Sequence, residues 1–206
     1  PLKVVIENFP VDKTEWLEAV NNPNSTKQEL RKIPFSREIW IEQDDFMEEP
    51  PNKFFRLAPG KEVRLRYAFF ITCNDLIKDK GGNLVELRCS YDPETRGGNA
   101  PDGRKVKGTI HWVSVQHAKD AEVRIYNSFY NSPTPGRDRD FIDDINPNSL
   151  EVLTNCKIEP DLVTLNKTTP IQFERLGYFY KDLDSGPDLP VYNRTISLRD
   201  TWNKKP

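Results

Sequence analysis

The residues best suited to chemistry in this sequence are arginines set among aromatic and strand-forming residues. In "GKEVRLRYAFF", residues 60–70, Arg64 and Arg66 stand two positions apart. Side chains of an extended segment alternate faces, so the two guanidinium groups project together, about 6.5 to 7 Å apart along a strand. That separation approximates the distance between successive phosphates, or between a phosphate and its base. A planar guanidinium grips a phosphate or a base edge in two places, whereas an ammonium offers a mobile point charge. Recognition of single-stranded RNA needs such donors beside flat apolar surfaces on which unstacked bases lie. "NKFFR" (residues 52–56) and "QFERLGYFY" (residues 172–180) supply that interleaving. The competing reading pairs Arg64 and Arg66 with strand neighbours such as Glu86 on the outside of a barrel.

Other cations bear on the same choice. "DGRKVKG" (residues 102–108) is a turn followed by Arg104, Lys105 and Lys107, suited to a phosphate backbone and equally to a soluble hairpin tip. The C-terminal "NRTISLRDTWNKKP" adds Arg194, Arg199, Lys204 and Lys205, with Trp202 as a clamp for the tail. The net charge is -2, so the average field invites no polyanion. Its distribution is uneven: residues 53–66 hold Lys53, Arg56, Lys61, Arg64 and Arg66 against Glu62 as the one acid, whereas residues 42–49 hold five acids (Glu42, Asp44, Asp45, Glu48 and Glu49) and no basic residue. A chain polarised in this way can hold RNA on one face and stay soluble through the other, although charge runs are also ordinary solvated surface.

Signals for catalysis within the chain are missing. There is no phosphate-binding glycine loop and no Gly-x-Ser-x-Gly elbow. Two histidines, His111 and His117, do not make an all-His metal site. Carboxylates are too abundant for a hydrolase pair to be read from spacing. Cys73, Cys89 and Cys156 are far apart and odd in number, which favours a reducing, intracellular setting over a disulfide framework. Three Asn-x-Ser/Thr matches, at Asn24, Asn166 and Asn193, are short and common patterns. No signal peptide and no apolar run of membrane length is seen. The chain starts without Met, in strand-like sequence, as expected of a processed or excised piece.

The elements that must position these residues are strands. At 206 residues with 11% aromatic and 36% hydrophobic composition, the chain can bury a real core despite 30% charged residues. Strands are expected at residues 2–9, 37–42, 62–72, 84–90, 106–116, 122–126, 150–157, 171–180 and 191–198. Residues 10–34 read as a turn-rich loop with at most a short helix near 13–19. Single helical turns are expected at 43–49 and 140–149, the first stopped by Pro50 and Pro51. Without periodic helices of 10 to 15 residues, α/β organisation is excluded and an all-β meander of two units remains.

Six blocks, "LKVVIEN", "PFSREIWIE", "GKEVRLR", "DGRKVKGTIHWVS", "QFERLGYF" and "NRTISLRDTW", occur in an order and spacing spanning nearly the whole chain. Together they resemble the C-terminal anticodon-binding region of glutaminyl-tRNA synthetase, a class I aminoacyl-tRNA synthetase; glutamyl-tRNA synthetases of the eukaryotic or non-discriminating type have a similar region.

The resemblance implies an all-β fold of two antiparallel β-barrels with a few short helices. The proximal barrel would use residues 1–52 and 128–206, and the distal one, residues 53–127, would be inserted into it. It implies that the three anticodon bases are splayed into separate pockets. Arg64 and Arg66 would hold the first base and its phosphate, Gln172 and Arg175 the central uridine, and Arg56 with Asn24 the third base, Pro23 shaping the loop beside it. Family members carry Gln and Lys around an aromatic just before Arg56, where this chain has Lys53 and Phe55 around Phe54. A phosphate contact from Lys53 is then expected in place of a base contact, with Phe55 stacking or packing. Arg104, Lys105, Lys107 and Arg194 are expected along the RNA backbone. No cofactor is expected in this chain. The family's "HIGH" and "KMSKS" signatures are absent, and ATP and Mg2+ would be used by a catalytic domain of the same polypeptide. The implied partner is glutamine tRNA and the implied location the cytoplasm, with no membrane. Two further classes remain: a protein-interaction β module, and a secreted β-domain hydrolase with a carboxylate cleft.

Overall fold

The structure is a computed structural model describing residues 1–27, 29–186 and 188–198. Among the described residues fourteen strands run in chain order: β1 (Leu2–Ile6), β2 (Glu15–Val20), β3 (Leu30–Phe35), β4 (Glu38–Ile41), β5 (Glu62–Leu65), β6 (Phe70–Lys78), β7 (Leu84–Asp92), β8 (Thr109–Ile110), β9 (Val113–Ser114), β10 (Lys119–Tyr126), β11 (Leu150–Ile158), β12 (Ile171–Phe173), β13 (Gly177–Lys181) and β14 (Val191–Ile196). The helical pieces among the described residues are 3-10 turns at Gln43–Asp45, Pro93–Thr95, Phe141–Asp144 and Pro160–Thr164. The all-β expectation holds. Among the described residues no helix is long and apolar enough to cross a membrane.

The chain divides into two compact units, Pro1–Lys119 with Lys157–Asp161, and Asp120–Cys156 with the residues from Leu162 onward. Within the first unit β1 lies parallel to β7, Lys3 opposite Glu86 and Ile6 opposite Cys89, which places the first strand in one sheet with residues 84–92. The pairing is also mixed, not purely antiparallel, since β1–β7, β5–β8 and β10–β14 are parallel.

In the first unit a seven-stranded sheet runs β8-β5-β6-β7-β1-β4-β9. Its two edge strands, β8 and β9, are consecutive in the chain and joined only by His111 and Trp112. Edges joined by so short a link must meet, so the sheet curls around its core and is closed by covalent continuity. Strand alternation fills the interior: Leu2, Val4 and Ile6 point inward with Ile39, Ile41, Val63, Leu65, Ile71, Leu87 and Ile110. Phe35, on the hairpin of β2 and β3, meets Phe9 at 5.0 Å, Phe69 at 5.1 Å and Trp112 at 5.2 Å between ring centroids. Full burial of each such ring stabilises by about 1.5–3 kcal/mol. Cys73, Cys89 and Cys156 are not joined to one another in disulfides, and Cys73 and Cys89 face each other across β6 and β7.

Three expectations changed in detail. Within residues 13–19, where a loop or short helix was expected, Glu15 onward forms β2, which pairs along its whole length with β3. The run 62–72 is two strands, since the chain turns at Tyr67, whose φ is 62°. The run 171–180 is likewise broken, at Arg175 with φ 63°.

The second unit is a five-stranded sheet, β11-β10-β14-β13-β12. Phe179 and Tyr192 are buried beneath Phe173, their rings 4.6 and 5.7 Å from it. Gly177 is required where β14 approaches: an added Cβ would lie 2.3 Å from the Ile196 carbonyl oxygen.

Candidate nucleic-acid interface

In β5, Val63 and Leu65 face the core, while Glu62, Arg64 and the following Arg66 share the outer face. The Arg64 guanidinium carbon lies 5.3 Å from the Phe70 ring centroid, a cation–π arrangement with the residue directly opposite on β6. Its Cδ runs over Gly98, where an added Cβ would approach to 2.9 Å. The Arg64 Nε is buried and has no hydrogen-bond partner among the described residues. A buried donor without an acceptor is costly. The Arg66 guanidinium stands 5.0 Å from the Tyr67 ring and donates to the Tyr67 hydroxyl at 3.4 Å. The backbone there is fixed from below, because the buried Trp112 indole donates to the Arg66 carbonyl at 3.0 Å. Glu86, the neighbour considered for this pair, instead holds Lys3 and Arg88.

Pro23 and Asn24 sit exposed at the turn joining β2 and β3. The Asn24 amide donates to the Asn22 side chain at 3.0 Å, a local turn that shapes the tip. The base of this hairpin reaches the Arg66 region, where the Tyr67 hydroxyl donates to the Val20 carbonyl at 3.5 Å.

Arg56 is anchored by donation to the Asp44 carbonyl at 2.7 Å and by Asp45, 3.5 Å from its Nε. It lines a small cavity of about 130 Å³ with Phe54, Phe55, Val63, Lys107 and Gly108. The Lys107 ammonium lies 5.1 Å from the Phe55 ring centroid. Gly108 keeps the cavity open, since an added Cβ would stand 2.3 Å from the Phe55 carbonyl oxygen. Lys53, Phe55 and Lys105 are exposed. Thus the fold brings together Arg56 and Lys107, which are far apart in sequence.

Arg104, expected along the RNA backbone, is held by carboxylates of this chain. It donates to both Glu62 oxygens at 3.0 Å and to Asp102 at 2.7 Å, and also pairs with Asp92. These carboxylates, Glu62 foremost, hold its guanidinium well above the ordinary arginine range. The Arg104 amide, then its side chain, keeps Asp102 below the usual carboxylate range.

In the second unit, Gln172 lies on β12 opposite Tyr178, both exposed, on the face away from Ile171 and Phe179. Arg175 occupies the left-handed position of the turn between β12 and β13, closed by the Leu176 amide donating to the Phe173 carbonyl at 3.0 Å. A non-glycine residue seldom adopts that conformation outside a turn that demands it. Arg194 is half-buried on β14, opposite Phe179. Arg199, Trp202, Lys204 and Lys205 lie outside the described residues. Tyr67, Phe70, Gly98 and Gly108 were not singled out by sequence reasoning; the one available signal was Gly98 in a glycine-rich loop.

Residues 1–92 match the family described as tRNA synthetases class I (E and Q), anti-codon binding domain, and residues 109–182 match a second family of the same description. The chain belongs to this class of anticodon-binding domains. Among curated relatives, a protein named glutamine--tRNA ligase from Bradyrhizobium diazoefficiens is 58% identical over 205 residues, covering 100% of this chain and 37% of the relative. Proteins of the same name from Nitrobacter winogradskyi and Pseudomonas putida are 56% and 51% identical, each covered over 36% of its length by 99% and 98% of this chain. The chain therefore spans a little over a third of the length of the relatives it matches.

Proposed function

We propose that this chain recognises the anticodon loop of glutamine tRNA, within a glutamine--tRNA ligase whose catalytic domain lies on the same polypeptide. The observation that carries the reading is Arg64, a guanidinium laid on an aromatic ring on the outer face of β5. Arg64 and Arg66 take the first anticodon base and its phosphate. Arg56, with Asn24 and Pro23, takes the third base beside the Phe55 cavity. Gln172 and Arg175 take the central uridine, its amide and guanidinium matching the acceptor and donor edges of that base. Lys53, Lys105, Lys107 and Arg194 neutralise backbone phosphates, and Arg104, already held by three carboxylates, leaves that set. The names of the relatives favour glutamine over glutamate.

ATP-dependent attachment of glutamine, with its ATP and Mg2+, belongs to the catalytic part of that ligase in the cytoplasm. Among the described residues no three His, Cys, Asp or Glu converge on a cation site, and no α-helix offers its N-terminus to a phosphate. The part of this chain is to hold the distant anticodon, whose binding energy helps place the acceptor end.

Footprinting of glutamine tRNA with the 206-residue chain tests the proposal. Protection should fall on the anticodon loop, and affinity should decline with salt by a log-log slope of about 0.7 to 0.9 per phosphate contact. Arg175→Ala should reduce discrimination at one base, at a cost of about 1–3 kcal/mol. Lys107→Ala should weaken all RNAs alike. Protection confined to the acceptor stem, or salt-insensitive binding without any footprint, would favour a protein-interaction module instead.

A further inference from the structure

On the outer face of the first unit's sheet, Asp92, Phe70 and Arg64 lie in one row across β7, β6 and β5. Glu62 is two residues before Arg64 on the same face of β5, at a spacing of about 6.5 to 7 Å that two side chains easily bridge. Phe70 is fully buried although it points away from the main core. Its ring is covered from outside by two guanidinium groups, Arg64 at 5.3 Å and Arg104 at 5.4 Å from the centroid. Two cations over one ring would share whatever anions lie near, and the anions here are Glu62 and Asp92.

They are not shared. Arg104 takes both oxygens of Glu62 at 3.0 Å and also pairs with Asp92, with Asp102 behind it. No carboxylate pairs with Arg64 among the described residues, and its buried Nε is unsatisfied. Arginine suits the sequestering role because its fork engages several carboxylate oxygens at once in a fixed plane.

We propose that Arg104 is a positioning residue that withholds Glu62 and Asp92 from Arg64, keeping the Arg64 guanidinium available to RNA. The inference rests on the reading of Arg64 as an RNA contact. Without Arg104, Glu62 swings to its neighbour on the strand, and RNA must then break an internal ion pair before it can bind.

The test is a mutant cycle in the 206-residue chain, using an RNA hairpin with a glutamine anticodon loop and reading Kd and melting temperature. Arg64→Ala should lose roughly tenfold in affinity. Arg104→Gln should lose a similar factor in the presence of Arg64, and should add nothing once Arg64 is Ala. Adding Glu62→Gln and Asp92→Asn to Arg104→Gln should bring affinity back to within about threefold of the parent. A purely structural Arg104 would not be rescued by removing two more of its network. If Arg104→Gln does not melt cooperatively, Arg104→Lys replaces it; its ammonium meets the carboxylates one at a time, so a smaller loss and the same rescue are expected. An unchanged Kd for Arg104→Gln beside a weakened Arg64→Ala would overturn the inference and leave the RNA reading standing. Loss without rescue would also overturn it, placing Arg104 on the RNA itself. An unchanged Kd for Arg64→Ala would overturn both.

Discussion

The two units solve the burial problem differently. The first wraps a seven-stranded sheet around a contiguous interior in which Phe9, Phe35, Phe69, Tyr91 and Trp112 interlock edge to face. The second rests on a small cluster, chiefly Ile171, Phe179, Val191 and Tyr192, and leaves large apolar side chains open along β11 and nearby: Leu150, Val152, Phe129, Phe141 and Ile142. Edge-to-face rings add about 0.5–1.5 kcal/mol per pair beyond burial, so the first unit has both more area and more directional packing. A rigid, well-filled sheet can hold Arg64 over Phe70 in one place. The second unit instead places Gln172 and Arg175 on a short hairpin, whose precision depends on Gly177 fitting against Ile196 and on the left-handed turn at Arg175. The difference teaches that aromatic filling of the interior and turn geometry are alternative ways of aiming a polar side chain.

Core truncation should sharpen this contrast most. Phe35→Ala removes a fully buried ring with several aromatic partners and should cost about 3–5 kcal/mol by urea titration of the chain. Val152→Ala, at an exposed strand position, should stay within about 0.5 kcal/mol. Equal costs would break the comparison.

The next largest effect concerns the two close backbone approaches. Gly177→Ala adds both a clash with the Ile196 carbonyl and a left-side φ of 146°, and should cost about 2–4 kcal/mol. Gly108→Ala meets only the Phe55 carbonyl, so about 1–3 kcal/mol is expected, together with weaker RNA binding as the cavity closes. Thermal melts and hairpin binding separate the two outcomes. Unaltered binding for Gly108→Ala would remove the cavity from the interface.

The smallest effect appears in the pH profile. Burial pushes the Tyr192 phenol up to about 12, with its hydroxyl donating to the Leu162 carbonyl. The unfolded chain loses that proton near pH 10 and the folded one does not. The unfolded state therefore binds fewer protons between pH 10 and 12, and stability falls as pH rises through that window. Tyr192→Phe should flatten this part of the profile. At the acid end, Asp102 of the first unit is held below the usual range by the Arg104 amide and side chain. Asp182 of the second is held below it by the Asp184 amide and the Asn193 side chain. Both contributions are complete above the unfolded carboxylate value near 4, and vanish as pH falls through the lower folded values. Melting curves of Asp102→Asn and Asp182→Asn should converge with that of the parent at the acid extreme.

Alternation made the outward pair Arg64 and Arg66 legible, and the inward Val63 and Leu65 with it, because a period of two survives in any sheet. It did not reveal the turn at Tyr67. No glycine marks it, and the conformation is selected by the Leu65 amide reaching the Phe69 carbonyl at 2.8 Å and by Trp112 beneath. Residues 13–19 mix charged and apolar side chains in a way that suits a short helix as well as a strand. Partnership with β3 decided between them. Arg104 looked like a phosphate ligand because Glu62 and Asp92 approach it only through sheet register.

By itself the sequence determined strand composition, the aromatic supply for a core, the pairing of arginines on one strand face, and six motif blocks that carry family membership. Those properties are local, or are encoded in ordered residue identity. Only the tertiary structure decided that β1 joins β7 in parallel, that Gly98 and Gly108 make room beside Arg64 and Phe55, and which cation each carboxylate holds. Each of these depends on residues distant in sequence meeting within a few ångströms, and steric exclusion and ion pairing act only at such separations.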